Sequence, residues 1–167
     1  TNSSTRGANW TNPMGNYPQI ISNTASGTGL NADEPAYYNA ATFGNNQFSR
    51  VTVGSLTSGD AEIQLLLRAS GTGASFNAYV ATVGANGYIT FSRYVNAGWV
   101  MDASSAVSFT AGDVAEFRVI GTTLQILKNG SVVASRTDTN YSSGKPGLGF
   151  WADLSAATAD NWEGGEF

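Results

Sequence analysis

Between Ala61 and Arg68 the chain alternates: Ile63, Leu65 and Leu67 stand against Glu62, Gln64 and Arg68, and only Leu66 breaks the pattern. Successive side chains of a strand point to opposite faces, so such a segment buries one face against a core and leaves the other for a second environment. Tyr88–Tyr94 repeats the device, with Ile89 and Phe91 on one face and Tyr88, Thr90, Ser92 and Tyr94 on the other. No stretch keeps apolar residues at helical spacing over three turns, and Ser155 to Asp160 is the one place with room for a short helical turn.

Turn residues punctuate these runs. Asn86-Gly87 and Asn129-Gly130 suit tight hairpins, in which both positions take a positive φ, and Asn96-Ala97-Gly98 and Ala111-Gly112-Asp113 mark further reversals. The pattern predicts strands over about 18–23, 36–41, 47–54, 61–69, 76–83, 88–95, 98–102, 114–121, 123–128, 131–137, 147–152 and 160–166. Short strands at close spacing indicate an all-β sandwich or barrel. The expected core is Ile63, Leu65, Leu67, Ile89, Phe91, Phe117, Val119, Leu124, Ile126, Leu148 and Phe150. With 167 residues, no repeat and no long linker, the expectation is one domain over 1–167, its first 15 residues polar and loop-like.

Composition removes several kinds of chemistry. There is no cysteine and no histidine, so a disulfide framework, thiolate catalysis, the usual zinc sites and any histidine-based triad or proton shuttle are excluded. Charged residues make up 12% of the chain, against ~25% in average soluble proteins, and the net charge is -4. No basic run exists to neutralise phosphates, so no nucleic-acid partner is expected. No apolar stretch approaches the ~20 residues that span a bilayer, so no membrane insertion is expected. The chain opens at Thr1 without Met, as expected of a chain whose leader was removed or of a domain cut from a longer protein. Abundant Gly, Ala, Ser, Thr and Asn with little charge point to an extracellular, cell-surface or virion-surface location.

One run is more particular. Ala111-Gly112-Asp113 leads into Val114–Ile120, then Gly121, a second strand, Lys128-Asn129-Gly130, and finally Ser143-Gly144-Lys145-Pro146-Gly147-Leu148-Gly149. This resembles the C-terminal half of concanavalin A-like (laminin G-like) jelly-roll domains. Gly7-Ala8-Asn9-Trp10 is similar to that superfamily's opening segment, Arg68-Ala69-Ser70 to the end of a central strand and Asp160-Asn161-Trp162 to its last strand. The resemblance implies two antiparallel sheets in a jelly-roll sandwich. It leaves function open, because the superfamily holds lectins, carbohydrate-binding modules, glycosidases, adhesins and viral fibre domains. Pro146 cannot donate to a ladder and is expected just before the strand it leads into.

The superfamily's glucanases carry a Glu-x-Asp-x-(x)-Glu strand, and nothing here matches it. Asp33-Glu34 reads as a loop before a proline. Asp60 and Glu62 lie at a strand start with no third carboxylate close in sequence, and Asp160, Glu163 and Glu166 do not share one strand face. No enzyme is therefore expected, with a degenerate or unrecognised glycan hydrolase or lyase as the residual case. The resemblance allows a structural Ca²⁺ near Asp160, at the start of the last strand, and no other cofactor. Aromatics are the remaining chemistry, because their faces stack on the apolar faces of sugar rings. Tyr88 and Tyr94 share a face away from the core, Tyr79 and Trp99 fall in the flanking strands, and Trp151 lies opposite Leu148 and Phe150. Gln64 and Arg68 are the expected hydrogen-bonding partners beside them. The first expectation is a non-catalytic glycan-binding, lectin-like module with a polysaccharide or glycan as partner. The alternative is a structural or adhesive domain of a virion, fibre or cell surface that binds protein partners and no sugar.

Overall fold

The computed structural model describes residues 7–28, 32–57, 59–151 and 156–167. Fourteen strands make up nearly all of its regular structure. They are β1 (Trp10–Thr11), β2 (Gln19–Ile21), β3 (Thr24–Ser26), β4 (Ala36–Tyr38), β5 (Gln47–Leu56), β6 (Glu62–Ser70), β7 (Asn77–Gly84), β8 (Tyr88–Val95), β9 (Gly98–Ala106), β10 (Val114–Ile120), β11 (Thr123–Lys128), β12 (Ser131–Thr137), β13 (Lys145–Trp151) and β14 (Ala157–Glu166). A single 3₁₀ turn, Gly73–Ser75, is the only helical element among the described residues. The strands form two antiparallel sheets of seven, in the orders β1-β4-β13-β6-β7-β8-β9 and β12-β11-β10-β5-β14-β3-β2.

Alternation places the core as expected. Every residue of the expected core is buried in one cluster between the sheets, together with Val51, Val53, Val83 and Phe109. The exception in the pattern, Leu66, faces the other way, into a second and smaller cluster with Tyr37, Ala69, Phe76, Ala78, Val80 and Tyr94. The first sheet therefore buries part of both faces.

Several local expectations are corrected. The stretch 18–23 is not one strand: the chain reverses at Ser22 and Asn23, both at positive φ, and returns as β3. Thr24–Ser26 in turn pairs with the first half of β14, which begins at Ala157, so the helical turn expected near Ser155 to Asp160 is a strand from Ala157 onward; Ser155 lies outside the described residues. The segment expected to be loop-like holds β1, which pairs with β4 and sets Trp10 4.5 Å from the Trp162 ring. Pro146 lies inside β13, at the irregularity between Lys145 and Gly147, where a missing N–H leaves no ladder bond unmade. Asn129 and Gly130 both take positive φ as the tight hairpin requires, whereas at Asn86-Gly87 only Gly87 does. There Gly87 N–H donates to the Gly84 carbonyl, and the loop is a three-residue turn ending in a left-handed glycine.

Candidate functional site

The outer face of the first sheet is read directly from its register. Trp151, Glu62, Gly84 and Tyr88 lie in one row, and Gly149, Gln64, Thr82 and Thr90 in the next. Leu66, Val80, Ser92 and Met101 form a third row, and Tyr94 and Trp99 sit opposite each other beyond it. The face is thus divided. Around Tyr94 it is apolar and sealed, because Phe76 and Tyr37 lie over it, with rings at 4.8 Å from Tyr94 to Phe76 and 6.4 Å from Phe76 to Tyr37. Around Thr90 it is polar and open. There a cavity of about 380 Å³ is lined by Asp33, Asp60, Glu62, Thr90, Trp99, Met101 and Trp151.

Hydrogen bonds hold the floor of this cavity. Gln64 is fully buried; its Nε2 donates to Asp33 Oδ1 at 2.7 Å, and its Oε1 accepts from the Tyr94 hydroxyl at 3.1 Å. The Thr82, Thr90 and Ser92 hydroxyls run in a line at 2.7 and 3.0 Å. Gly149 leaves room for Gln64: a Cβ there would stand 3.0 Å from Gln64 Oε1. The Trp99 ring is braced edge-on against Tyr94 at 5.1 Å and is still 38% exposed. Beside it Met101 is 62% exposed, a large apolar surface at the mouth of a cavity.

The acids are unevenly held. Asp33 receives the Gln64 amide, but no described group donates a hydrogen bond to Asp60 or Glu62. Burial pushes the Glu62 carboxyl up to about 7, and repulsion from Asp33 and Asp60 adds to the effect. A substantial fraction of Glu62 is therefore protonated at neutral pH.

Of the residues expected in a site, Trp99 and Trp151 line the cavity, and Gln64 supports it from below. Tyr88 lies on the same face at 49% exposure but does not line the cavity. Three expectations are corrected. Tyr94 faces away from the main core as alternation requires, yet it is fully buried by the second cluster, so it supports Trp99 and is not itself open to a ligand. Tyr79 pairs with Leu67 and Arg93 on the inner face, where its hydroxyl donates to Asp138 at 2.8 Å and accepts from Tyr141 N–H at 2.8 Å. Arg68 sits at a bulge with φ 50°, and its guanidinium donates to the carbonyls of Asn45, Gly121 and Tyr141 at 2.6–3.1 Å. It joins loops and does not reach the cavity.

Asp160 is exposed and accepts the Asn161 N–H at 2.7 Å, holding its own bulge. Among the described residues no group of three or more acidic side chains is placed to hold a metal ion, and no helix is long and apolar enough to cross a membrane. The lining residues that sequence reasoning did not select are Asp33, Asp60, Glu62, Thr90 and Met101. Met101 had a usable signal, since it stands two residues after Trp99 and shares its face. Glu62 had the same signal, since it shares a face with Gln64, but its grouping with Asp33 had none, because Asp33 arrives from the loop before β4, far from Asp60 and Glu62 in sequence.

No protein-family model matches the sequence, and no curated protein matches it significantly. Solved structures do match. The carbohydrate-binding module CBM66 from Bacillus subtilis superposes with a TM-score of 0.74 over 96% of this chain and 98% of that one, at 18% identity. The fold is the concanavalin A-like jelly roll. The same jelly roll is shared with the Bacillus licheniformis β-glucanase, at TM-score 0.60 and 11% identity over 98% of this chain and 95% of that one. The potassium-bound Emp46p carbohydrate recognition domain matches at TM-score 0.62 and 12% identity, over 95% of this jelly roll and 89% of that chain.

Proposed function

We propose that this jelly roll is a non-catalytic glycan-binding module of an extracellular or surface protein, and that it holds its ligand in the cavity between Trp99 and Trp151. The observation that carries this reading is an open cavity with indole walls over a floor of ordered hydroxyls. Indole faces stack on sugar C–H faces, while hydroxyls and carboxylates accept sugar O–H groups. A carbohydrate-binding module and a carbohydrate recognition domain among the structural neighbours support it. An open site of this kind desolvates few atoms per sugar, so dissociation constants on the order of 10–1000 μM are expected. Calorimetric titration of an oligosaccharide panel tests this: Trp99→Ala and Trp151→Ala should each weaken binding by roughly five- to tenfold. Binding that neither variant weakens places the site elsewhere, and no binding at all leaves the surface to a structural or adhesive role.

One observation favours a second reading, glycoside hydrolysis. A carboxyl whose pKa is raised toward neutrality is what a glycosidase acid needs, and Glu62, pushed up to about 7 by burial and by Asp33 and Asp60, has that character. The β-glucanase neighbour shares the fold that hosts it. Release of reducing ends from a polysaccharide, lost in Glu62→Gln, would establish this reading over the first.

A further inference from the structure

The cavity has a sign as well as a shape. Asp33, Asp60 and Glu62 all face it, and among the described residues no cation does. Every described Lys and Arg is engaged elsewhere. Arg50 pairs with Glu163 and Glu116, Arg93 and Arg136 with Asp102 and Asp138, and Lys128 with Asp113. Arg68 donates to loop carbonyls, Arg118 to Gln125 and Lys145 to the Asn39 carbonyl. No described cation therefore compensates the acids in the cavity, and two of them, Asp60 and Glu62, accept no hydrogen bond from any described group. Acids that share a cavity with two indoles, Asp33 and Glu62 half-buried and Asp60 exposed, form an environment that draws a cation carried on an apolar frame, because indole faces attract cations too. They repel an anionic ligand, which would bring like charge into a site of reduced dielectric.

Resting on the glycan-binding reading, we propose that the cavity between Trp99 and Trp151 selects saccharides bearing a protonated amine, of the glucosamine type, over neutral chains, and excludes uronate-bearing chains. An ammonium at C2 of a stacked sugar replaces a neutral hydroxyl with three charged donors directed at the carboxylates. The Glu62 carboxyl, held up to about 7 by burial and by Asp33 and Asp60, ionises more readily once that cation is beside it.

The test compares three β-1,4- or α-1,4-linked tetramers by calorimetry at pH 6 and low salt: the glucosamine tetramer, cellotetraose, which differs from it at C2, and tetragalacturonate. The glucosamine tetramer should bind at least tenfold more tightly than cellotetraose, and tetragalacturonate should not bind. The double substitution Asp60→Asn with Glu62→Gln should abolish the preference, so that the glucosamine tetramer and cellotetraose bind this variant with affinities within about twofold of each other. Glu163→Gln, on the other sheet and paired with Arg50, should leave the preference intact, which separates the cavity from the general acidity of the chain. Equal affinity for the two β-linked tetramers, or a preference that survives the double substitution, overturns the charge selection alone. Absence of binding by all three and by the wider oligosaccharide panel overturns the glycan reading with it.

Discussion

Glu62 stands at the start of β6 with Asp33 and Asp60 as its charged neighbours and no described hydrogen-bond donor to hold its charge. Its carboxyl is pushed from 4.5 up to about 7, mainly by burial. The folded state therefore binds a proton more tightly than the unfolded state. The contribution to stability is fully present below about 4.5 and is lost as the pH rises through about 7. Glu62→Gln removes this dependence. At pH 8 the variant should be more stable than wild type by about 1–2 kcal/mol, discounted for the part of the side chain that remains solvated, and at pH 4 the two should agree. Urea unfolding at the two pH values measures it; an equal difference at both would show that Glu62 is not held uncharged.

At the scale of elements, β6 illustrates how one strand serves three environments. Ile63, Leu65 and Leu67 enter the core, Gln64 forms the cavity floor, and Leu66 lies under the second cluster. The strand ends in a bulge at Arg68, where the left-handed backbone turns the guanidinium toward the loops at Asn45, Gly121 and Tyr141. A buried Arg that supplies charged donors to three carbonyls is worth more than a surface ion pair. Arg68→Met should destabilise the protein by about 3 kcal/mol, since it leaves loop carbonyls without donors, and should leave glycan affinity unchanged. Thermal unfolding together with a binding titration separates the two effects: weakened binding by a still-folded variant would return Arg68 to the site. The hairpins follow a similar local logic. Asn129-Gly130 closes β11 to β12 with two left-handed residues, while the three-residue turn at Gly87 needs only one.

For the whole molecule, stability rests on the cluster between the two sheets. Phe117 is fully buried there, with its ring 6.1 Å from Phe91, and Phe117→Ala should cost about 3–5 kcal/mol through the cavity it leaves. Denaturant titration would show it, and a loss below about 1 kcal/mol would mean that the two sheets close over the gap. The inner faces of these sheets were legible in the sequence, because alternation is a local property and each strand states which of its sides is apolar. So were the hairpin at Asn129-Gly130 and the final strand at Trp162. The outer face was only half legible. Alternation turned Tyr94 away from the core, but whether that side met water depended on Phe76 and Tyr37, which come from other segments and cover it. Tyr79 read as a neighbour of the same surface, yet the register sets it opposite Leu67 and Arg93, on the inner side. The cavity itself is non-local. Asp33 comes to the cavity beside Glu62 because β13 lies between β4 and β6, and Trp151 and Trp99 line the same cavity from strands β13 and β9 of the sheet that this order builds. The sequence by itself determined which side of each strand is apolar, since that is written every second residue. Only the tertiary structure decided which strands lie side by side, and with that which polar side is covered, which is open, and which acids share one cavity.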